Sequence, residues 1–184
     1  MEDNKILELY WERSQDAIVE TQHKYGRYCH YIASNILQNA EDVDEIINDT
    51  WLRAWHSIPP QRPRYLQAFL GKITRNLALN YLEKAKAQKR GAGERDLVLE
   101  EIDTLVPGTV DGTLDRLHFK QVLDVFLSGL KPEQRRIFVR RYWYMDSVNQ
   151  IADSLGITES KVTVTLCRLR QKLAQKLQEE EIWK

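Results

Sequence analysis

Cysteine is nearly absent from this chain of 184 residues. The two present, Cys29 and Cys167, stand far apart and follow no metal-ligand spacing, so neither a disulfide framework nor a zinc site is expected. Both thiols read as ordinary packed or half-buried groups. Glycine and proline are scarce as well, at eight and five residues, which argues for helices with few turns between them. No apolar run approaches the roughly 18 residues needed to span a bilayer. The opening stretch, MEDNKILELYWERSQ, is charged throughout and lacks the apolar centre of a secretory signal. A soluble, cytoplasmic protein with no direct membrane insertion is expected. The four histidines (His23, His30, His56 and His118) form neither an HExxH pair nor another ligand set, and no phosphate loop or nucleophile motif accompanies them. These absences argue against catalysis, against a small-molecule substrate and against a metal or other cofactor.

A surplus of charge of either sign is missing too, but only in the sum. The chain has 27 basic and 27 acidic residues, and they are sorted into blocks. Five acids and no base fall between residues 41 and 49. Eight bases and one acid, Glu83, fall between 62 and 90. Seven acids and one base occupy 94–115, five bases and one acid 131–141, and five bases with no acid 161–176. Blocks of this kind create local fields even when the total cancels.

The apolar residues that are present repeat at helical spacing. From about residue 5 to 38, Ile18, Tyr25, Tyr28, Ile32 and Ile36 share such a face. Asn39 is placed to cap the next helix, whose first turn is acidic and so suits the positive end of a helix dipole. Val43, Ile46, Ile47, Thr50, Trp51, Ala54, Trp55 and Ile58 trace its inner face, until Pro59-Pro60 stops it. Leu66, Phe69, Leu70, Ile73, Leu77, Tyr81 and Leu82 trace a further helix, which should fray near Gly91 and Gly93. The segment 91–113 carries four Gly, one Pro and mostly acidic polar residues, the composition of a linker. Beyond it, Leu117, Val122, Val125, Phe126 and Leu130 predict one helix, and Pro132 opens another where a first turn tolerates proline.

The run SVNQIADSLGITESKVTVTLCRLRQKL, residues 147–173, holds an ambiguity. Val162-Thr163-Val164-Thr165 alternates as a strand would, but only for four residues. Val162, Leu166, Leu169, Leu173 and Leu177 recur every three or four residues over five turns, and the longer pattern predicts a helix. Val148, Ile151, Ala152 and Leu155 form a shorter helix before it. Gly156 supplies the left-handed corner and Thr158 the cap of the second helix. Ala152, Gly156 and Val162 have the spacing that two closely crossing helices need. This is a helix-turn-helix with Arg168, Arg170, Lys172 and Lys176 beside it, the charge that phosphate contact requires.

Two helical modules that include AEDVDEIINDTWLRAW and FLGKITRNLALNYLEKAKAQKR, the second module ending in a helix-turn-helix, resemble a bacterial RNA polymerase sigma factor of the extracytoplasmic-function (ECF) class. The resemblance covers about residues 12–90 and 113–178, and 44–55 is its most specific stretch. It implies an all-α fold of two small helical domains joined by a flexible linker. Residues 1–90 would bind core polymerase and recognise the −10 promoter element. Residues 91–113 would be the acidic linker, which in relatives threads toward the RNA channel and which alone reads equally well as a solvated tether. Residues 114–184 would carry the helix-turn-helix that binds the −35 element. The implied partners are core RNA polymerase, through the clamp helices of its largest subunit, promoter DNA and an anti-sigma factor.

Residue by residue, the resemblance assigns core-polymerase binding to Asp42, Glu45, Ile46, Asp49 and Leu52. It assigns −10 DNA to Arg62, Arg64, Arg75, Asn76, Asn80, Lys84 and Lys86, with Tyr65 as a weaker candidate and Trp55 better read as core. For −35 DNA it implies Arg135, Arg136, Arg140, Ser160, Lys161, Thr163, Thr165, Arg168 and Arg170, with Arg141 beside them. The chain departs from the family at Thr163 and Thr165, where relatives usually show a lysine and an arginine; threonine has no bidentate grip on guanine. The function implied is promoter-specific transcription initiation. From the residues alone, an autonomous dimeric helix-turn-helix regulator remains the alternative, and size and autonomous DNA binding would discriminate the two.

Overall fold

The computed structural model describes residues 1–88 and 113–179. Among the described residues there are eight helices and no strand: α1 (Asp3–Trp11), α2 (Asp16–Ile36), α3 (Ala40–Ser57), α4 (Leu66–Gln88), α5 (Thr113–Ser128), α6 (Pro132–Tyr142), α7 (Val148–Leu155) and α8 (Glu159–Glu179). The all-α class expected from the periodicity holds. The chain divides into two compact units, Met1–Gly91 and Ala92–Lys184. The linker expected at 91–113, apart from Thr113, and the fraying expected at Gly91 and Gly93 lie outside the described residues.

In the first unit α2, α3 and α4 pack on one another and α1 packs on α2. The helical spacing from about residue 5 to 38 resolves into two helices. Residues 12–15 interrupt it, with Arg13 in the left-handed region at φ 56°. That corner is tied to α3: Arg13 Nη1 donates to the Trp55 carbonyl at 2.8 Å, and the guanidinium lies 5.3 Å from the centroid of the Trp55 ring. Trp55 also stands 6.1 Å from Tyr10 and packs against the core, as its place on the apolar face predicts. Ile6, Tyr10, Cys29, Trp51, Ala54, Ile58, Leu66 and Leu70 form that core. Asn39 caps α3, its side chain accepting from Glu41 N–H at 3.0 Å, which satisfies a donor that has no partner inside the helix.

Polar and steric details register α4 against its neighbours. The buried hydroxyls of Thr50 and Thr74 meet 3.2 Å apart between α3 and α4. Burial pushes the Cys29 thiol up to about 11, and its hydrogen bond with Thr74 partly offsets that rise. Tyr28 on α2 lies directly against α4 at Gly71, where a β-carbon would stand 2.5 Å from the phenol oxygen. At the N-terminus, Lys24 Nζ and Tyr25 Oη both donate to Asp3 Oδ1, at 2.7 and 2.5 Å, and fasten α1 to α2.

In the second unit α8 is the central element, touched by α5, α6 and α7. Val162, Leu166, Leu169, Leu173 and Leu177 are all buried, the stripe that the five-turn periodicity predicts. Phe126 and Phe138 meet edge-on at 5.6 Å, and Phe138 and Tyr142 lie 4.6 Å apart. The segment 143–147 turns sharply between α6 and α7, with Met145 at φ 59°. Arg140 Nε pairs with the buried Asp146 carboxylate at 2.7 Å, and Arg141 Nη1 donates to the Asp146 carbonyl at 3.1 Å. Ser147 and Gln150 form a reciprocal capping box at the start of α7. Gly156 ends α7 at φ 64° and Thr158 caps α8 by accepting from Lys161 N–H at 3.2 Å.

Candidate nucleic-acid interface

Three surfaces carry the residues singled out in the sequence, two on the first unit and one on the second. The first is the outer face of α3. Glu41, Glu45, Asn48, Asp49, Leu52 and His56 are exposed and follow one another at helical spacing, so they share that face. Leu52 is 54% exposed. An acidic stripe with a bare leucine in it suits a partner that is basic with an apolar spot. Two of the expected residues are engaged within the fold. Ile46 is 3% exposed and belongs to the inner face, so it supports the surface and takes no part in it. Asp42 is half-buried, and its Oδ1 accepts from Tyr81 Oη of α4 at 2.6 Å. That bond raises the Tyr81 phenol above its ordinary value. Asp42 is thus already engaged with α4.

The second surface runs from the 58–65 connection along α4. Pro59 and Pro60 end α3, and the chain crosses to Leu66 through Arg62, Arg64 and Tyr65, all exposed. Tyr65 is 64% exposed with the Arg64 guanidinium 5.4 Å from its ring centroid. An exposed aromatic ring with an arginine beside it is suited to stack a base and hold its backbone. Along α4, Lys72, Asn76, Asn80 and Lys84 are exposed. Arg75 is half-buried, and burial lowers its guanidinium from its ordinary value. The Lys86 side chain lies outside the described ones.

The third surface is α8. Ser160, Thr163, Val164, Cys167, Arg168 and Gln171 are exposed at helical spacing, opposite the buried leucine stripe. Cys167 is therefore exposed, where a packed or half-buried thiol was expected. Lys161 Nζ pairs with Glu133 of α6 at 2.8 Å. Thr163 Oγ1 donates to the Glu159 carbonyl at 3.0 Å. Thr165 and Arg170 turn partly inward, and Arg170 Nη1 donates to Tyr142 Oη at 3.1 Å.

The basic helix α6 is largely engaged within the fold. Arg135 closes the C-terminal end of α5, donating to the carbonyls of Leu127, Ser128 and Leu130 at 2.7, 2.9 and 3.3 Å. That is a helix cap, with a cation at the negative end of the dipole. Arg140 holds Asp146, and Arg141 is buried. Arg136 alone of the four is exposed with no contact that assigns it a structural task. Tertiary contacts absorb charge that the sequence offers to phosphate.

Sequence reasoning passed over Val164, which is 47% exposed on the outer face of α8. Its position four residues after Ser160 would have identified it. The Asp42–Tyr81 bond joins residues 39 apart and leaves no local signal. Among the described residues, no group of three potential ligands could hold a metal ion and no helix is long and apolar enough to cross a membrane.

Comparison with known proteins finds one family model in each unit. Residues 22–88 match sigma-70 region 2, and residues 120–173 match sigma-70 region 4. The chain is 24% identical over 181 residues to the RNA polymerase sigma factor NccH of Alcaligenes xylosoxydans xylosoxydans, covering 98% of this chain and 97% of that protein. It is 29% identical over 114 residues to the RNA polymerase sigma-E factor of Streptomyces avermitilis, covering 61% of this chain and 64% of that one. Among solved structures, CnrH in complex with the cytosolic domain of CnrY aligns over 96% of this chain and 97% of its own, at 20% identity and a TM-score of 0.44. With region 2 in the first unit and region 4 in the second, the chain belongs to the sigma-70 family of RNA polymerase sigma factors, in the extracytoplasmic-function class.

Proposed function

We propose that the three surfaces divide the work of a sigma factor, which binds core RNA polymerase and directs it to promoters. The outer face of α3, through Glu45, Asp49 and Leu52, docks on the largest subunit's clamp helices. The edge formed by Arg62, Arg64, Tyr65, Asn76, Asn80 and Lys84 holds the melted non-template strand of the −10 element. Extruding a base from the duplex costs a few kcal/mol, which stacking on Tyr65 and contacts from the neighbouring arginines and amides would return. The outer face of α8 enters the major groove of the −35 element, N-terminal half first, as second helices of such motifs do. Two weak contacts made by one chain reinforce each other through effective concentration.

The observation that carries this reading is the sorting of exposed charge by helix. On α3 it is acidic around a bare leucine, at 58–84 it is basic around a bare tyrosine, and on α8 it is basic along a helix-turn-helix. No observation favours the autonomous dimeric regulator. In this reading the chain is an initiation factor with no catalytic residue of its own, it acts in the cytoplasm where the polymerase is, and an anti-sigma factor is its regulator. The test is run-off transcription with purified core polymerase on sheared genomic DNA. Discrete transcripts sharing two upstream motifs are expected. Asp49→Ala with Leu52→Ala should weaken core association by about tenfold or more, the worth of one modest hot spot. Unchanged association would refute the docking assignment.

A further inference from the structure

The outward stripe of α8 says what kind of base it reads. Along its centre it presents Ser160, Thr163, Val164 and Cys167, with the charged Lys161 and Arg168 at one edge. Reading guanine through O6 and N7 needs a forked or cationic donor from Arg or Lys, and adenine needs an amide from Asn or Gln. Of these types, only Lys161 and Arg168, seven residues apart along one edge of the stripe, are exposed on this side before Gln171. The cation nearest the start, Lys161, is paired with Glu133 at 2.8 Å. Thr163 has committed its single proton to the Glu159 carbonyl at 3.0 Å, so it has no donor to offer a base edge. What stands open at the centre is Val164, an aliphatic side chain 47% exposed on a helix flanked by bases and free of acids from 161 to 176. An exposed valine in that setting has one complementary feature in the major groove of B-DNA, the C5-methyl group of thymine.

We propose that Val164, flanked by Thr163 and Cys167, is a specificity-determining residue that reads thymine 5-methyl groups in the −35 element. The inference rests on the reading of α8 as the −35 recognition helix. It accounts for the two threonines that depart from the family pattern: at Thr163 and Thr165 this chain has lost polar readout, and Val164 between them supplies apolar readout. Arg168, one turn further along, remains for phosphate or for a base at the edge of the element.

The test uses the full chain bound to core polymerase. Duplexes randomised over the upstream segment are selected for binding, and each thymine of the winning sequence is then replaced singly by deoxyuridine, which lacks only the methyl. At one or two positions the substitution should weaken binding about fourfold, the effect of one buried methyl-sized group. The same substitution should be silent for Val164→Ala. At those positions cytosine should bind worse than 5-methylcytosine, which separates the methyl from the rest of the thymine edge. Sequence-selective upstream binding that is indifferent to deoxyuridine at every position would overturn the inference and leave the −35 reading standing. No upstream selection at all would overturn both. Val164 is exposed, so its alanine variant should melt like the parent, and the deoxyuridine arm needs no variant.

Discussion

Substituting Gly71 by alanine sets two effects of known sign against each other. Gly71 lies inside α4, where replacing glycine by alanine ordinarily stabilises a helix by about 1 kcal/mol. Here the added β-carbon would stand 2.5 Å from the Tyr28 phenol oxygen and 3.0 and 3.1 Å from its Cε1 and Cζ. The obstacle is three atoms of a rigid ring, so a small rotamer change does not clear it. Either the ring leaves its place between α2 and α4 or the helices separate locally. Overpacking of this kind costs about 1–3 kcal/mol. The clash should therefore prevail, for a net loss of about 1 kcal/mol, which lowers the melting temperature of a unit this size by about 4–8 °C. Thermal unfolding by circular dichroism measures the loss, and hydrogen exchange over residues 66–88 localises it. Gly71→Ala in a Tyr28→Ala background should show the opposite sign, because only helix propensity remains. If Gly71→Ala raises the melting temperature with Tyr28 in place, the packing argument is wrong.

The other predictions follow from single contacts. Arg135→Ala should destabilise the second unit by about 1–2 kcal/mol through loss of the α5 cap and leave the salt dependence of DNA binding unchanged, whereas Arg136→Ala should lower the slope of log K against log salt by about 1 and leave stability alone. Gly156→Ala should cost the second unit about 1 kcal/mol by calorimetry, because an L-residue is strained at φ 64° and no neighbouring atom adds to the effect. In the native protein a thiol reagent should titrate Cys167 at once and Cys29 only after denaturation. Cys29, held at about 11 against an ordinary 9.0, gives stability that is fully present below pH 9 and lost as pH rises toward 11, because the unfolded chain releases that proton first. The difference corresponds to on the order of 2–3 kcal/mol, and Cys29→Ala should flatten this part of the alkaline limb.

The helices and the helix-turn-helix were legible because local chemistry specifies them. Asn39, Pro59, Pro132, Gly156 and Thr158 each act on neighbours within a few residues, and the leucine stripe of α8 repeats long enough to outvote four alternating residues. What escaped was non-local. No rule of spacing marks Arg13 for the left-handed conformation that separates α1 from α2. Nothing near Asp42 announces that Tyr81 will bond to it, and nothing near Arg135 or Arg140 announces that a helix end and a buried carboxylate will claim them. A basic residue in a sequence is an offer of charge, and the fold decides which offers reach solvent. Ile46 was legible from its spacing as an inner-face residue, and only the family resemblance assigned it to the surface, although one step around the helix from Glu45 moves a side chain from the outer face to the core.

Apart from Thr165 and Arg170, the two faces of α8 share no residue. Val162, Leu166, Leu169, Leu173 and Leu177 hold the unit together, while Ser160, Thr163, Val164, Cys167 and Arg168 touch nothing that folding depends on beyond a single turn of helix. Mutations in the second set carry almost no stability penalty. A lineage of such proteins can therefore drift from one promoter vocabulary to another through folded, soluble intermediates at every step. The half-buried pair is the exception: Arg170, pinned to Tyr142, and Thr165 answer to both faces, and they should change slowest.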